Sequence, residues 1–291
     1  MKVELPVALS VRVLSLVSLA VAPAACGGSA PAPAAPVASE TASPPDPAFD
    51  AALQAAIAST ERPAAETARD RYRHPRETLE FFGLRADMTV VELWPGSGWY
   101  SAILAPLLAD KGKLVAATMD PNDPNAHGAK ELVARVAAKP SVFGKVDVHV
   151  IHPPKDLSLG PDGSADAVLT FRNFHNWMQD GIADGVITAA FRVLKPGGVL
   201  GVVEHRAKPD ADPAKVFDSG YVPVATVIDI ARKAGFVLDA RSEINANPLD
   251  TKDYPQGVWT LPPALRLGEQ DKAKYLAIGE SDRMTLRFRK P

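Results

Sequence analysis

A single cysteine, Cys26, stands among 291 residues, which excludes an internal disulfide framework and any cysteine-built zinc site. No charge surplus is present either. The 32 Lys and Arg are matched by 34 Asp and Glu, for a formal net charge of −2, and the basic footprint of a nucleic-acid binder is missing. Aromatic residues make up only 7%. Hydrophobic runs are short: residues 13–22 form an apolar run of ten, far below the ~20 that a helix needs to cross a bilayer. No repeat at solenoid spacing occurs, and no His-x-x-x-His or paired-cysteine pattern marks a metal, so no metal site is expected. What remains, 46% hydrophobic and 23% charged, is the composition of a globular chain.

Proline is the one residue in excess. There are 27, nearly double the usual ~5%, but seven fall between Pro23 and Pro47. Residues 26–49 are mostly Ala, Pro, Ser and Gly, too poor in large apolar groups to offset chain entropy by burial, and read as a linker. Ahead of them, Lys2 and Arg12 precede the apolar run in the manner of a signal peptide over 1–25. Its end, Pro23-Ala24-Ala25-Cys26-Gly27, resembles the lipobox of bacterial lipoproteins. That resemblance implies export, acylation of Cys26 and attachment to a membrane from the periplasmic side. Cleavage at Ala-x-Ala with release as a soluble periplasmic protein, or an uncleaved anchor, are the alternatives. Residues 50–291 then form one domain.

Within that domain, helical spacing begins at Asp50, and Pro75 suits the first turn of a second helix. Short β-rich runs follow over 89–93, 114–119, 146–151, 165–171, 199–204, 236–241 and 284–289, with helical patterns after the first and over 129–138, 182–194 and 224–234. Between the last two strands lies an irregular stretch rich in Asn and Pro. Strands alternating with helices predict an α/β, doubly wound and mostly parallel sheet.

The first strand runs into Pro95-Gly96-Ser97-Gly98, a turn whose backbone can approach a ligand closely, followed by the free amides of a helix start. A dinucleotide binder wants a third glycine where Ser101 stands, which disfavours a nicotinamide- or flavin-dependent oxidoreductase. The run from Glu92-Leu-Trp to Gly98, joined later by Phe191-Arg-Val-Leu-Lys-Pro-Gly-Gly-Val-Leu-Gly-Val-Val203, resembles the class I S-adenosylmethionine-dependent methyltransferases. More narrowly, Asp70-Arg-Tyr-Arg-His-Pro-Arg-Glu-Thr-Leu-Glu-Phe-Phe-Gly83 with Trp94-Pro-Gly-Ser-Gly-Trp-Tyr100 resembles exported bacterial proteins described as predicted methyltransferases. The resemblance implies a Rossmann-like methyltransferase fold, a seven-stranded sheet closing on an antiparallel strand, and S-adenosyl-L-methionine as cofactor. It places Glu92 at the acidic position of the first motif, Gly96 and Gly98 at glycine positions, and Trp94 where the family has its first glycine. Asp120 becomes the acid for the ribose hydroxyls, although the family position aligns nearer Thr118, and Asp156 the acid that meets the adenine amine.

Candidate reaction residues follow the fourth strand in Phe171-Arg-Asn-Phe-His-Asn-Trp177, at the sheet edge where α/β folds bind ligands. Asn173, His175 and Asn176 supply polar groups that can orient an acceptor and take its proton, or else cap a turn; His205 ends the fifth strand at the same edge. Trp94, Trp99 and Tyr100 either wall a sulfonium or pack the core. Arg69, Arg71, Arg73 and Arg76 with His74 either hold a carboxylate or form a self-paired helix surface with neighbouring acids. His127, His149 and His152 carry no supporting motif, and Asp282 with Arg283 read as a turn and a fold contact. The function implied is methyl transfer to a small-molecule or lipid acceptor, with no nucleic-acid partner and an oligomeric state that the sequence leaves open. The rival is a non-catalytic binding module on the same fold, motivated by the export signal.

Overall fold

Val90 and Val91 are neighbours in one strand and enter different cores, the two-residue period of a strand buried on both faces. A computed structural model of the chain describes residues 47–291 apart from Asn125, His127, Pro213 and Lys215. The leader over 1–25, Cys26, most of the linker and His127 lie outside the described residues. Seven strands form one sheet: β1 (Thr89–Leu93), β2 (Lys113–Met119), β3 (Asp147–Ile151), β4 (Ala165–Phe171), β5 (Leu194–His205), β6 (Val237–Ser242) and β7 (Arg283–Arg289). Their order is β3-β2-β1-β4-β5-β7-β6, with β7 antiparallel to both neighbours and every other pairing parallel. This is the expected Rossmann-like methyltransferase sheet, and each of the seven predicted strands is present.

Among the described residues four helices precede the sheet: α1 (Pro47–Ile57), α2 (Ala64–Thr67), α3 (Asp70–Arg73) and α4 (Pro75–Phe81). The crossovers are α5 (Ser101–Leu108) after β1, α6 (Ala129–Ala138) and α7 (Pro140–Phe143) after β2, α8 (Phe174–Gln179) and α9 (Ala183–Val193) after β4, and α10 (Val216–Ser219) and α11 (Val224–Lys233) after β5. One face of the sheet packs Leu53, Leu79, Phe82, Ile103 and Phe143 against Val90, Leu114 and Leu169. The other packs Trp177, Ile187, Val227 and Ile228 against Val91, Val168 and Leu200. Helices on both faces leave only the strand ends open to a ligand.

Two departures from the sequence reading have physical causes. The helix over 182–194 ends at Val193, and the Leu-Lys-Pro-Gly-Gly turn is the start of β5, where the pairing with β4 slips between Ala165 and Ala167. Lys195 Nζ closes that slip by donating to Asp166 Oδ1 at 2.6 Å, while Asp166 Oδ2 accepts the Thr89 N–H at 2.8 Å. The stretch before β7 is not wholly irregular, since it holds a 3-10 turn at Gly257–Thr260 and α12 (Lys272–Ile278). No helix among the described residues is long and apolar enough to cross a membrane.

Glycine is required inside β5 for space. A Cβ on Gly201 would lie 2.8 Å from both Leu169 Cδ2 and Phe82 Cδ2, so α4 and β4 close directly on the strand backbone. Gly201→Ala should therefore destabilise the fold by about 1–3 kcal/mol through overpacking, read as a lower urea midpoint; an unchanged midpoint would show that Phe82 gives way freely.

Candidate active site

Because β1 and β4 are parallel neighbours, their carboxyl ends lie side by side, and the residue just past each end has a left-handed backbone: Trp94 at φ 45° and Arg172 at φ 62°. Such a conformation costs a non-glycine residue on the order of 1–3 kcal/mol and gathers at functional sites. Both residues line one cavity of about 210 Å³. Its other walls are Gly96, Asn173, His175, His205, the 258–264 segment, and Glu280 with Ser281 just before β7.

The polar wall is wired through a carboxylate that the sequence reading passed over. Glu204, fully buried at the end of β5, accepts from His175 Nδ1 at 3.1 Å and from the His205 N–H at 2.7 Å. His205 Nδ1 lies 2.5 Å from Ser281 Oγ, and the two imidazole rings are 5.3 Å apart. Burial, with the nearby charges of His175, Arg172, Arg283 and Arg73, pushes His205 well below the ordinary imidazole value. Asn173 is also buried; its Nδ2 donates to Leu93 O at 2.9 Å, Trp94 O at 3.3 Å and Thr170 Oγ1 at 3.1 Å, holding the ends of β1 and β4 together. Asn176 is exposed on α8 and does not line the cavity.

The sequence offers no metal motif, yet His175, Glu204 and His205 bring one ligand atom each within 4.8 Å of one another. Two features disfavour a cation there. Glu204 Oε1 is already engaged by two donors, and three guanidiniums act on His205 from the surrounding protein.

The arginine-rich stretch divides. Arg69 and Arg73 turn inward to Glu280, whose Oε1 accepts from Arg69 Nε at 2.6 Å and whose Oε2 accepts from Arg73 Nε at 3.3 Å. Arg76 pairs with Asp50 and Glu80, and Arg71 lies over the Tyr72 ring, both on the surface. Arg283 Nη2 adds a third bond to Glu280 at 2.5 Å, and Asp282 is held by Arg206 and Lys252 as a fold contact.

The proposed cofactor residues are placed unequally. Gly96 lines the cavity at φ 60°, with nothing within 4 Å of the position a Cβ would take, so the backbone is open to a ligand there. Gly98 is not: a Cβ on it would meet Leu132 at 2.9 Å, because α6 packs on that side of the turn. Trp94 packs edge-on against Trp177 and walls the cavity. Tyr100 belongs to the core, stacked on Phe171 with ring centroids 3.6 Å apart and its hydroxyl donating to Arg73 O. Trp99 lies between Arg62 and Arg73, which take the cation–π places proposed for a sulfonium. Asp120, at the end of β2, caps its own turn through Oδ1, accepting from Asn122 N at 2.8 Å, while Oδ2 has no partner among the described residues. Asp156 is exposed, accepts the Ser158 N–H, and lines a separate depression with Asp162, Asp184 and Arg192, so it does not reach the cavity.

Arg172, Glu204, Glu280 and Ser281 were missed. A lone acid beside a histidine in the apolar run Gly201-Val-Val-Glu-His205 was a legible sign of a buried charge, and Arg172 lies within the stretch already singled out. For Glu280 only Arg283 is a local partner; the other two, Arg69 and Arg73, are 211 and 207 residues away in sequence.

Comparison with known proteins bears on the fold. No protein-family model matches the chain. Over 145 residues, half of the chain, it is 28% identical to the ubiquinone/menaquinone biosynthesis C-methyltransferase UbiE of Salmonella arizonae, and that stretch covers 53% of the enzyme. The chain thus spans about half the length of the curated relatives it matches. Among solved structures, an S-adenosylmethionine-dependent methyltransferase from Aquifex aeolicus superposes with a TM-score of 0.51 at 19% identity, covering 81% of this chain and 97% of that one. Geranyl diphosphate C-methyltransferase from Streptomyces coelicolor A3(2) gives 0.53 at 13% identity, covering 81% and 88%. These two likenesses show the fold.

Glu92 supplies a test of the glycine-turn region. Burial pushes its carboxyl up to about 7, against the Ser101 Oγ bond of 2.6 Å and the pull of Arg135. Between about pH 4.5, the ordinary value, and pH 7 the unfolded chain releases this proton while the folded one keeps it, so stability falls as pH rises through that window and levels off above it. Glu92→Gln keeps an acceptor for Ser101 and should be more stable than the parent by about 3 kcal/mol near pH 8, with no difference near pH 4. Urea unfolding at both pH values measures this; a pH-independent difference would contradict it.

Proposed function

We propose that this chain is a class I S-adenosylmethionine-dependent methyltransferase, and that it moves the cofactor's methyl group to an acceptor held in the cavity at the ends of β1, β4 and β5; its 28% identity to UbiE over half of the chain and its methyltransferase-like fold support the reading. The observation that carries the reading is the meeting of Gly96, Trp94 and His175 in that one cavity. The residues fit the cofactor at its sulfonium end, where Gly96 offers open backbone and Trp94 an aromatic wall, and Asp120 Oδ2 is available for a ribose hydroxyl. When bound, S-adenosylmethionine supplies an electrophilic methyl group that leaves its sulfur as the acceptor atom attacks. Positioning by the protein contributes most of the rate in such a displacement.

The chain's own part is proton handling and orientation. Glu204 takes the His175 Nδ1–H, which leaves Nε2 as the basic atom of a ring that lines the cavity. His175 accepts the acceptor's proton, and Asn173 sets the position of Trp94 through its carbonyl. A binding module without turnover is the second reading, motivated by the export signal read from the first 25 residues. Titration calorimetry with S-adenosylmethionine, followed by transfer of its labelled methyl group to lipid, peptide and small-metabolite fractions, separates the two. His175→Ala should slow turnover by about 10²–10⁴ while cofactor affinity stays within a few-fold. Equal loss of both would make His175 a cofactor-pocket residue, and cofactor binding with no acceptor in any fraction would favour the binding module.

The address of the protein belongs to the same reading. The chain is proposed to be exported and diacylated on Cys26, facing the periplasm, like the exported methyltransferase-like proteins it resembles. Mass spectrometry of the mature amino terminus should find a lipid-modified Cys26; a lipid-free mature chain would leave export and remove the anchor.

A further inference from the structure

Arg172 lines the cavity, yet its guanidinium makes no ion pair or hydrogen bond among the described residues. Behind it, Glu280 is shared by Arg69, Arg73 and Arg283, and even so Arg69 Nη2, Arg73 Nη2 and Arg283 Nε are buried donors without a partner. Glu204, the other acid of this wall, is engaged by His175 and the His205 backbone. Four guanidiniums, those of Arg73 and Arg283 buried and those of Arg69 and Arg172 half-buried, therefore face two buried carboxylates. Burial, with the charges of Arg283 and Arg69 against the pull of Glu280, lowers Arg172 to about 10. An excess of buried positive charge calls for a counter-ion.

The cavity also has an apolar part: Trp259, Leu261, Pro262 and Pro263 line it together with the arginine. We propose that the second substrate is a small amphiphile bearing a carboxylate, its charged end on Arg172 and its apolar body against Trp259 and Leu261. Calling this ligand the acceptor rests on the methyl-transfer reading; the anion site itself does not. A planar guanidinium and a carboxylate match in a bidentate geometry that an amide cannot reproduce. The charges acting most strongly on Arg172 come from Glu280, Arg283, Arg69 and Glu204, which belong to β5, β7 with the segment before it, and the turn between α2 and α3. None is on β1, β2 or β3, the side of the glycine turn and Asp120.

The test uses benzoate, its uncharged counterpart benzamide and inorganic phosphate as probes, titrated into the parent protein and into Arg172→Asn and Arg172→Lys. Asparagine tolerates the left-handed backbone at this position, and a thermal melt checks that each variant is folded. Benzoate should bind the parent at least about tenfold more tightly than benzamide or phosphate, and Arg172→Asn should weaken it about 10–100-fold. Arg172→Lys should fall between, and S-adenosylmethionine affinity should stay within a few-fold in both variants. No benzoate binding by the parent, equal binding of benzoate and benzamide, tighter phosphate, or no effect of Arg172→Asn would overturn the proposal. An equal loss of cofactor binding would assign Arg172 to the cofactor's carboxylate and overturn it as well. A parent that binds benzoate through Arg172 but fails to bind S-adenosylmethionine would keep the anion site and remove the methyl-transfer reading.

Discussion

Glu280 joins the two ends of the described chain. Its carboxylate takes Arg69 and Arg73 from the amino-terminal helices and Arg283 from the first residue of β7; Glu280, Arg73 and Arg283 are buried. Burial alone would favour its neutral form, but Arg283, Arg73, Arg172 and Arg69 hold it well below the usual carboxylate range. A group depressed in this way contributes stability at neutral pH that is lost as pH falls through its folded value. The consequence is architectural as well as energetic. β7 is the antiparallel strand between β5 and β6, so whatever fixes its first residue also fixes Ser281 against His205 and the height of the cavity floor.

The two halves of the cavity are built by different means. On the β1–β2 side the parts are held by close approach: a Cβ on Gly128 would lie 2.6 Å from Gly96, and Arg135 donates to the carbonyls of Ser97 and Gly98 while pairing with Glu66. Short contacts of this kind leave little freedom. On the β4–β7 side the parts are held by charge, with orphaned donors left over. Ionic groups keep a unique arrangement only while each has a partner, and an incompletely paired network gains most from a ligand that completes it.

The fold was legible in the sequence because its signals are local. Apolar pairs such as Val90 and Val91, the glycines after β1 and the turn before β5 are each read within a few residues, and parallel order follows from alternation with helices. The boundary at Leu194 was misread because a helix end and a slipped strand start share the same residues. The site was legible only in part. Gly96, Trp94, Asn173, His175 and His205 meet as strand-end residues should. Tyr100 went to the core because it enters a helix that must cover the sheet, and Asp156 was lost because the loop after β3 folds back on His152. Arg172, although inside the stretch after β4, and Glu280 carried no mark of their roles, because those depend in part on Arg69 and Arg73 from a distant part of the chain, which periodicity does not carry.

Of the two imidazoles at the sheet edge, the surrounding charges select one. A developing imidazolium at His175 meets Glu204 at 3.1 Å, an acceptor whose position is fixed by the His205 N–H. At His205 the same charge would be opposed by burial first and then by His175, Arg172, Arg283 and Arg73. His205 is thus kept neutral. Its ring borders His175 and meets Ser281, so it serves as a fixed wall against which His175 is oriented. The guanidiniums that disfavour a charge on His205 also belong to the group that lacks counter-ions, so an anion bound at Arg172 would ease the field on that ring.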